Sequence, residues 1–364
     1  MANPSKIGYL SGVSLLVAAM TGPGLVTVPL LFQTSGWITS LTILILVSLI
    51  SSFSSLLLCE AIGSLPGNEK FTKRIEYSNL CEYLITNRYK RAFIQIIVYL
   101  AIESFIIASI ILSAQSLDSL FVTFFGRTCG ISISPDSGWL CTEELGDESS
   151  PFGNRWMLLT AGFMTTLVFV IPMTWMRLSN NAKIQIVSFT IIIFVIFAWA
   201  AALILHGVDP SRIPIIGENQ SQSVGIVLFN YAFITAVPSL SNELEEDGSI
   251  RKIVWTATSI STFGYITLGI LGAMAFDLDL STNIVTSIRK SELRNTFFGF
   301  STYLFPFILL ISVPINVIVI RYNLVRTGFC GENLAIFSTI LPWFLVIPFQ
   351  SVEKQNMEKK NCMV

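Results

Sequence analysis

The stretch Thr21-Gly22-Pro23-Gly24 interrupts the first long apolar run of the chain, residues 7–33. The hydrocarbon core of a bilayer has no water to satisfy freed backbone groups, so such a break is tolerated only beside protein or an aqueous cavity. Glycine lets the backbone approach a ligand closely, and proline removes a backbone donor and blocks the preceding helical turn. The stretch therefore predicts a transmembrane helix that is discontinuous near the middle of the membrane.

The composition is that of a membrane protein. Of the 364 residues 52% are hydrophobic and 12% are charged, and the mean hydropathy is +0.69. Soluble domains carry about 25% charged residues. The net charge of −1 gives no electrostatic basis for binding nucleic acid. We therefore expect an all-α polytopic protein embedded in a lipid bilayer.

Crossing the hydrocarbon takes about 20 apolar residues in a helix. Nine runs are expected to be spans, of which the last is the shortest: 7–33, 38–62, 92–121, 156–175, 183–206, 223–242, 253–276, 297–322 and 334–350. Lys and Arg are concentrated in the loop 63–91, whereas the loop 126–155 is acidic. By the positive-inside rule, the amino terminus is predicted to be cytoplasmic and the loop 126–155 to lie outside. Within the loop 63–91, residues 70–89 are predicted to form a short interfacial helix.

Two features of the outer segments bear on the compartment that they face. Cys129 and Cys141 lie together in the polar loop, and a disulfide between them is expected if this loop is lumenal or extracellular. The alternative is a pair of free thiols. Asn219 begins the glycosylation sequon Asn219-Gln220-Ser221 in the loop after the fifth span, on the same predicted side.

A second interrupted span carries Thr235-Ala236-Val237-Pro238-Ser239 at a similar depth. Two broken helices at matching places in two halves of a membrane protein indicate the substrate site of a secondary transporter. Where a helix stops and restarts, unpaired carbonyls and amides face each other, and they suit the ammonium and the carboxylate of a zwitterion. The alternative for each break is a simple kink in a packed helix.

Four polar residues inside spans are further candidates. Glu103 is either a proton-coupling group or a hydrogen-bonded packing residue, because intramembrane carboxyl groups usually mark function. Ser109 and Ser113 can line a pocket or bridge helices. Ser312 precedes Pro314 and either coordinates a cation or stabilises the kink there.

Motifs of enzymes are missing from the sequence. It has no His-Glu-x-x-His, no nucleophile-elbow serine, no Walker-type glycine loop and a single histidine, His206. An enzyme, a cofactor and a bound metal are therefore not expected, and any pumping would draw on an ion gradient or on the gradient of the substrate.

Several motifs resemble the amino acid/auxin permease family, whose members carry an amino-acid-transporter transmembrane domain. Their order and spacing carry the resemblance, and they are Thr21-Gly22-Pro23-Gly24-Leu25 with Pro29, Gln33-Thr34-Ser35-Gly36-Trp37, Leu58-Cys59-Glu60-Ala61, Ala108-Ser109-Ile110-Ile111, Thr235-Ala236-Val237-Pro238-Ser239, Arg321-Tyr322-Asn323-Leu324 and Leu341-Pro342-Trp343.

The resemblance implies the leucine-transporter-type fold, in which two inverted repeats of five helices hold the substrate among the first, third, sixth and eighth helices. It implies an amino-acid substrate driven by sodium or protons. By position, the substrate site would comprise Thr21, Gly22, Pro23, Gly24, Ser109, Ser113, Thr235 and Ala236. Ser312 falls where sodium-coupled relatives place a coordinating hydroxyl, and the candidate ion-coupling residues are therefore Ser312 and, as an intramembrane carboxyl group, Glu103. Sodium-coupled relatives carry an Asn where this chain has Ala18, so protons or uniport are favoured over sodium.

The family has ten or eleven helices, and nine are predicted here. We therefore expect a first repeat at 1–206, an incomplete second repeat at 207–350 and a polar tail at 351–364. The function expected is secondary transport of amino acids at the plasma membrane or at a lysosomal or vacuolar membrane. The alternative is a truncated, non-transporting protein that regulates or assembles with a full-length partner.

Overall fold

A computed structural model describes residues 6–347, with gaps at 69–70, 72, 146–149, 154, 219, 246–247, 279–282 and 329. The described chain is mostly helical. Its α-helices are α1 (Tyr9–Met20), α2 (Gly24–Ser35), α3 (Trp37–Gly63), α4 (Tyr77–Leu84), α5 (Arg88–Phe125), α6 (Ala161–Thr174), α7 (Leu178–His206), α8 (Ser221–Asn230), α9 (Val237–Glu243), α10 (Ile250–Ala275), α11 (Ile284–Lys290), α12 (Phe297–Ser301), α13 (Phe305–Arg326), α14 (Glu332–Ser338) and α15 (Leu341–Val346).

Six helical segments within the described ranges are long and apolar enough to cross a membrane. A seventh crossing is the pair α1 and α2, which bends by 53° at its break. This bend confirms that the first span is discontinuous. Seven of the nine predicted spans are thus membrane-capable by length and composition.

The fourth and ninth predicted spans are shorter apolar helices, Ala161–Thr174 and Glu332–Val346. The predicted start of the fourth span at residue 156 is wrong, because Trp156–Thr160 forms a β-strand. Met157 in this strand is buried, Leu158 and Leu159 are half-buried, and Trp156 is exposed. Hydropathy alone does not distinguish so short an apolar strand from the end of a helix.

The second interrupted span differs in shape from the first. Between α8 and α9 the chain forms a 3-10 helix, Ala232–Ala236. The whole segment Ser223–Glu243 runs as one membrane-length element. At the second break the helix is therefore wound more tightly over one 3-10 turn, whereas at the first break it bends sharply.

The polar loop after α5 forms a three-stranded antiparallel sheet in the order β2-β1-β3. Its strands are β1 (Thr128–Ser134), β2 (Gly138–Thr142) and β3 (Trp156–Thr160). Cys129 and Cys141 are partners in the β1–β2 register and are joined as a disulfide. Asn219, the predicted glycosylation site, lies outside the described residues.

Because the spans run lengthwise through the bundle, the connecting segments lie at its two opposite ends. We call the end with the sheet the sheet end, and the opposite end, which holds residues 64–87 between α3 and α5, the connector end. The short helix expected within 70–89 is α4, and we call residues 64–87 the connector.

The centre of the bundle is formed by helices that are buried on all sides. In α1 every residue from Gly12 to Met20 is buried. The most apolar window of the Phe297–Arg326 segment is 83% buried, whereas that of α3 is 28% buried. A helix that is apolar all round belongs in a core or in lipid. The first broken span therefore lies inside the protein, and α3 presents much of its surface outward.

Asp118 holds the sheet to the spans. Its Oδ1 accepts hydrogen bonds of 2.8 Å from Thr128 Oγ1 and from the backbone N–H of Gly162. The first bond ties β1 to α5, and the second satisfies an orphan amide in the first turn of α6. A Cβ added at Gly162 would lie 2.2 Å from the backbone oxygen of Ala114. Asp118 is thus a structural residue, and Gly162 permits the close approach of α5 and α6.

We expect Gly162→Ala to lower the free energy of unfolding by about 1–3 kcal/mol, because its methyl group must push two backbones apart. The measurement is the thermal unfolding midpoint of the purified protein in detergent. Gly225→Ala is the matched control, since a Cβ at this position in α8 meets nothing within 4 Å and Ala is the better helix former. Equal midpoints for the two variants would contradict the packing described here.

Candidate functional site

The end of α1 is held by its neighbours at the first break. The Thr21 hydroxyl donates to the Val17 oxygen at 2.7 Å, so it caps its own helix. The Tyr265 hydroxyl, from α10, donates to the Met20 oxygen at 2.5 Å. The Tyr265 bond satisfies a carbonyl that the end of the helix leaves without an intrahelical partner, whereas the Val17 oxygen also accepts from the backbone N–H of Thr21 at 2.8 Å. The break is therefore a fixed feature of the structure. Because the Thr21 hydroxyl donates its hydrogen within α1, its oxygen can only accept a hydrogen bond from a ligand.

Both glycines of the break are in close contact with other spans. A Cβ at Gly22 would lie 2.8 Å from Cζ of Phe105 in α5. A Cβ at Gly24 would lie 1.7 Å from Oδ1 of Asn230 in α8. Pro23 is buried between them and caps α2 with a helical φ of −56°. The glycines thus let side chains from two other spans contact the backbone of the break.

Asn230 is the most informative residue that the sequence analysis missed. It is 1% exposed, and neither atom of its carboxamide has a hydrogen-bond partner among the described residues. An unpaired amide in an apolar interior costs several kcal/mol. A carboxamide directly before an interrupted segment of an apolar run was a signal that could have identified it.

The predicted serines of α5 lie on the faces that approach the break. Ser109 follows Phe105 by four residues and so lies on the same face, one turn further along. Ser109 and Ser113 are buried, and neither hydroxyl has a hydrogen-bond partner in the described part of the chain. Two further buried polar groups thus lie on the side of α5 that carries Phe105.

Glu103 points away from this face. Two residues along an α-helix correspond to a rotation of about 200°, so Glu103 and Phe105 lie on opposite sides of α5. Glu103 is 8% exposed, and its Oε2 has no hydrogen-bond partner among the described residues. The structure therefore does not place Glu103 with the glycines, although it leaves a buried carboxyl oxygen without a partner.

The candidates at the second break contribute mainly backbone. The Thr235 hydroxyl approaches the Ala232 oxygen at 3.5 Å, and Ala236 is buried with an apolar side chain. At the start of this segment, the Tyr231 hydroxyl contacts Thr262 Oγ1 at 2.5 Å. Tyr231 and Tyr265 pack edge to face with ring centroids 5.9 Å apart. A tyrosine pair thus lies between α10 and the two interrupted spans.

Ser312 lies on α13 in a separate polar region. Its hydroxyl donates to the Leu309 oxygen at 2.8 Å. The carbonyl of Ile311, the residue directly before Ser312, accepts a bond of 2.7 Å from Nε2 of Gln185 in α7. Ala18 is buried and offers only its backbone. A protein amide therefore donates to a carbonyl next to the predicted ion-coupling serine.

The groups around the first break form a neutral, polar site inside an apolar core. Asn230 provides an amide donor and an acceptor, and Ser109 and Ser113 provide hydroxyls. The start of α2 presents backbone amides that no side chain caps. Amides at a helix start favour an anionic group, and carbonyls at a helix end favour a cationic one. The described residues contain no group of three His, Cys, Asp or Glu side chains placed to hold a metal.

Comparison with known protein families gives one match. The sequence model of the family described as transmembrane amino acid transporter protein matches residues 5–342, which is nearly the whole chain. No curated protein sequence matches the chain. The family expected from the motifs is confirmed.

Because a Cβ at Gly24 would overlap the Asn230 carboxamide, we expect Gly24→Ala to lower the free energy of unfolding by about 2 kcal/mol. In the Asn230→Ala background the same substitution should be nearly neutral, since the overlapping atoms are gone. The measurement is a double-mutant cycle of thermal unfolding midpoints. Strictly additive effects would show that Asn230 and Gly24 are not in contact.

Proposed function

This chain belongs to the transmembrane amino acid transporter family, and from that premise we propose that it moves amino acids across a membrane by secondary transport, with the substrate bound at the Gly22–Gly24 break. The leucine-transporter-type arrangement of two inverted repeats, 1–206 and 207–350, is part of the proposal. The bent first span and the 3-10 segment of the second interrupted span support it.

One observation carries the assignment of the site. The Asn230 carboxamide is buried against Gly24 and has no hydrogen-bond partner among the described residues. Burial of an unpaired amide is costly, so a residue placed in this way suggests a ligand that completes its bonds. The uncapped start of α2 beside it supplies backbone donors to the same space.

The proposed binding mode follows from these polarities. The carboxylate of the amino acid accepts from the amides of α2 and from Nδ2 of Asn230. Its ammonium group donates to Oδ1 of Asn230. Ser109 and Ser113 complete the polar side of the pocket, and Thr235 and Ala236 border it from the second break. Phe105 gives the side chain of the substrate an apolar contact.

Protons are the coupling ion that the residues favour. Ala18 supplies no side-chain oxygen to a small cation site, and the Gln185 amide already donates to the carbonyl beside Ser312. Glu103 is a buried carboxyl group with an oxygen free to exchange a proton. We propose that Glu103 carries the coupled proton, and that Ser312 has a structural role at the kink of α13.

We also propose that the connector end is cytoplasmic. The loop 63–91 carries six Lys and Arg residues, more than any other connecting segment, as the positive-inside rule requires of the cytoplasmic side. The disulfide Cys129–Cys141 suits an oxidising compartment at the sheet end.

The function is tested by uptake of radiolabelled amino acids into proteoliposomes that contain only the purified chain, with and without an inward proton gradient. Asn230→Ala should raise the half-saturating substrate concentration about tenfold or more, because it removes hydrogen bonds to charged groups. Ser109→Ala should have a smaller effect in the same direction. Ser104→Ala is the matched control, since Ser104 lies on the exposed side of α5 and bonds to Leu100.

Uptake that no amino acid supports, together with an unfolding midpoint that no amino acid raises, would overturn both the function and the site. Absent uptake with ligand-induced stabilisation would instead favour a protein that binds amino acids and needs a full-length partner to transport them.

Glu103→Gln should abolish stimulation of uptake by the proton gradient, because the amide cannot exchange a proton at neutral pH. Its affinity for the substrate should change less than twofold, since Glu103 lies on the opposite side of α5 from Phe105. The measurement is the initial uptake rate against external pH, with Glu60→Gln, at an exposed position of α3, as the control. An unchanged pH profile would exclude Glu103 from coupling.

A further inference from the structure

Glu76 is a fully buried carboxylate outside the spans. It is 0% exposed and directly precedes α4 in the connector. Its Oε2 accepts from the Ser239 hydroxyl at 2.5 Å, and its Oε1 accepts from Asn242 Nδ2 at 3.1 Å. The Arg326 guanidinium also donates to Oε1 and forms an ion pair with it. The carboxylate therefore has partners in two different spans.

The same stretch of the connector makes further bonds to both spans. Asn242 of α9 donates to the Ile75 oxygen at 3.0 Å. Asn323 of α13 accepts from the Ser78 amide at 3.0 Å. Asn79 Nδ2 donates to the Arg326 oxygen at 3.0 Å. Residues 75–79 thus form a bridge between the end of the second interrupted span and the end of α13.

Local structure alone does not require a glutamate here. Glu76 caps α4 in a capping box with Asn79, but Ser, Thr, Asp and Asn are the preferred residues for that position. A buried ion pair returns little net stability after its desolvation, and a buried charge without its partner is strongly destabilising. The glutamate therefore connects α4 to α9 and α13, which the shorter side chain of a typical capping residue would not do.

The bridge also reaches the first broken span. The backbone N–H of Ile7 donates to the Glu243 oxygen at 2.7 Å, and the N–H of Glu245 donates to the Ile7 oxygen at 3.1 Å. The beginning of α1 is thus paired with the end of α9. Through Ser239 and Asn242, Glu76 holds the connector-end halves of both interrupted spans near α13.

A cavity at the connector end adjoins these contacts. Its volume is about 960 Å³, and Asn242 and Arg326 form part of its wall. Ser179, at the start of α7, lines the cavity. Further along α7 a buried polar stripe follows at helical spacing, through Asn181, Gln185 and Ser188. Each of these three side chains has an atom without a hydrogen-bond partner among the described residues. The stripe thus places polar side chains in the core between the cavity end of α7 and the middle of the bundle.

We propose that Glu76 is a positioning residue that latches the connector end: its carboxylate holds α9 against α13, and release of either partner opens the cavity along the α7 stripe. The inference rests on the proposed transport function, because only a carrier has to open this end in a cycle. Glu76 does not contact the proposed substrate site, and it acts through Ser239, Asn242 and Arg326.

Titration of Glu76 supplies a second signature of the latch. Burial raises the pKa of the Glu76 carboxyl, and the Arg326 guanidinium and the hydrogen bonds from Ser239 and Asn242 oppose that rise. The charged groups that face it are Arg326 from α13 and Glu243 from α9, and Glu243 also raises its pKa. Protonation removes the charge that attracts Arg326. The latch should therefore loosen as the pH falls through the pKa of Glu76.

The latch is tested by thiol accessibility, without substrate or transport. Ser188→Cys on the α7 stripe is the reporter, and Ala202→Cys, buried on the same helix toward the sheet end, reports general unfolding. The background replaces Cys59, Cys81, Cys330 and Cys362 with alanine. The measurement is the rate of modification by a charged maleimide on the purified protein in lipid nanodiscs.

Glu76→Gln should raise the modification rate at Ser188→Cys about tenfold, and Ala202→Cys should stay unreactive. Because the thiolate is the reacting form, each rate is divided by that of a free thiol at the same pH, and Glu76→Gln should make this ratio independent of pH. Ser239→Ala removes one hydrogen bond and keeps the ion pair, so a rise of about threefold is expected even if Glu76→Gln does not fold. Glu82→Ala is the matched control, because Glu82 lies on α4 and pairs with Arg91 at 3.5 Å within the same region.

Unchanged rates at Ser188→Cys in both variants would overturn the latch, as would equal rises at Ser188→Cys and Ala202→Cys. A selective rise at Ser188→Cys in a protein that fails to take up amino acids would leave the latch in place and overturn the transport function.

Discussion

The structure depends on the satisfaction of backbone groups that a broken helix releases where no water is available. At the end of α1 the Tyr265 hydroxyl and the Thr21 side chain supply bonds to two carbonyls. At the start of α2 the amides have no side-chain cap, and the Asn230 carboxamide lies against Gly24. One side of the break is thus closed by the protein, and the other presents polar groups in need of partners. This asymmetry makes the break a candidate binding site.

The same constraint explains why the first broken span lies at the centre of the bundle. A break that faced lipid would expose its polar backbone to hydrocarbon, so α1 is enclosed by α7, α10 and α13. The ends of the interrupted spans converge at the connector end, where Ile7 pairs with the chain after α9. There the Glu76 carboxylate, itself buried, joins α9 to α13. The proposed substrate binding at the break and the proposed opening at the connector end would therefore both act on the two interrupted spans.

Much of the fold and part of the site were accessible from the sequence. The bend at Gly22 and Gly24 and the disulfide between Cys129 and Cys141 were predicted and are present, whereas the sheet that holds the two cysteines was not predicted. The strand Trp156–Thr160 was taken for part of a span, because a short apolar run does not reveal its period once it adjoins a helix. Glu103 was predicted as an ion-coupling residue, which stays a prediction, and only the structure shows that it lies on the opposite side of α5 from Phe105. Asn230 was missed, because its importance depends on the contact with Gly24.

The sequence by itself determined that this chain is a helical membrane protein of the amino acid transporter family and that its first span is broken, because hydropathy, glycine and proline act locally along the chain. Only the tertiary structure decided which side chains meet at that break and that Glu76 joins the ends of two distant spans. Asn230 lies more than 200 residues from Gly24, and Arg326 lies 250 from Glu76. Such contacts arise from the packing of whole helices, and no local pattern encodes them.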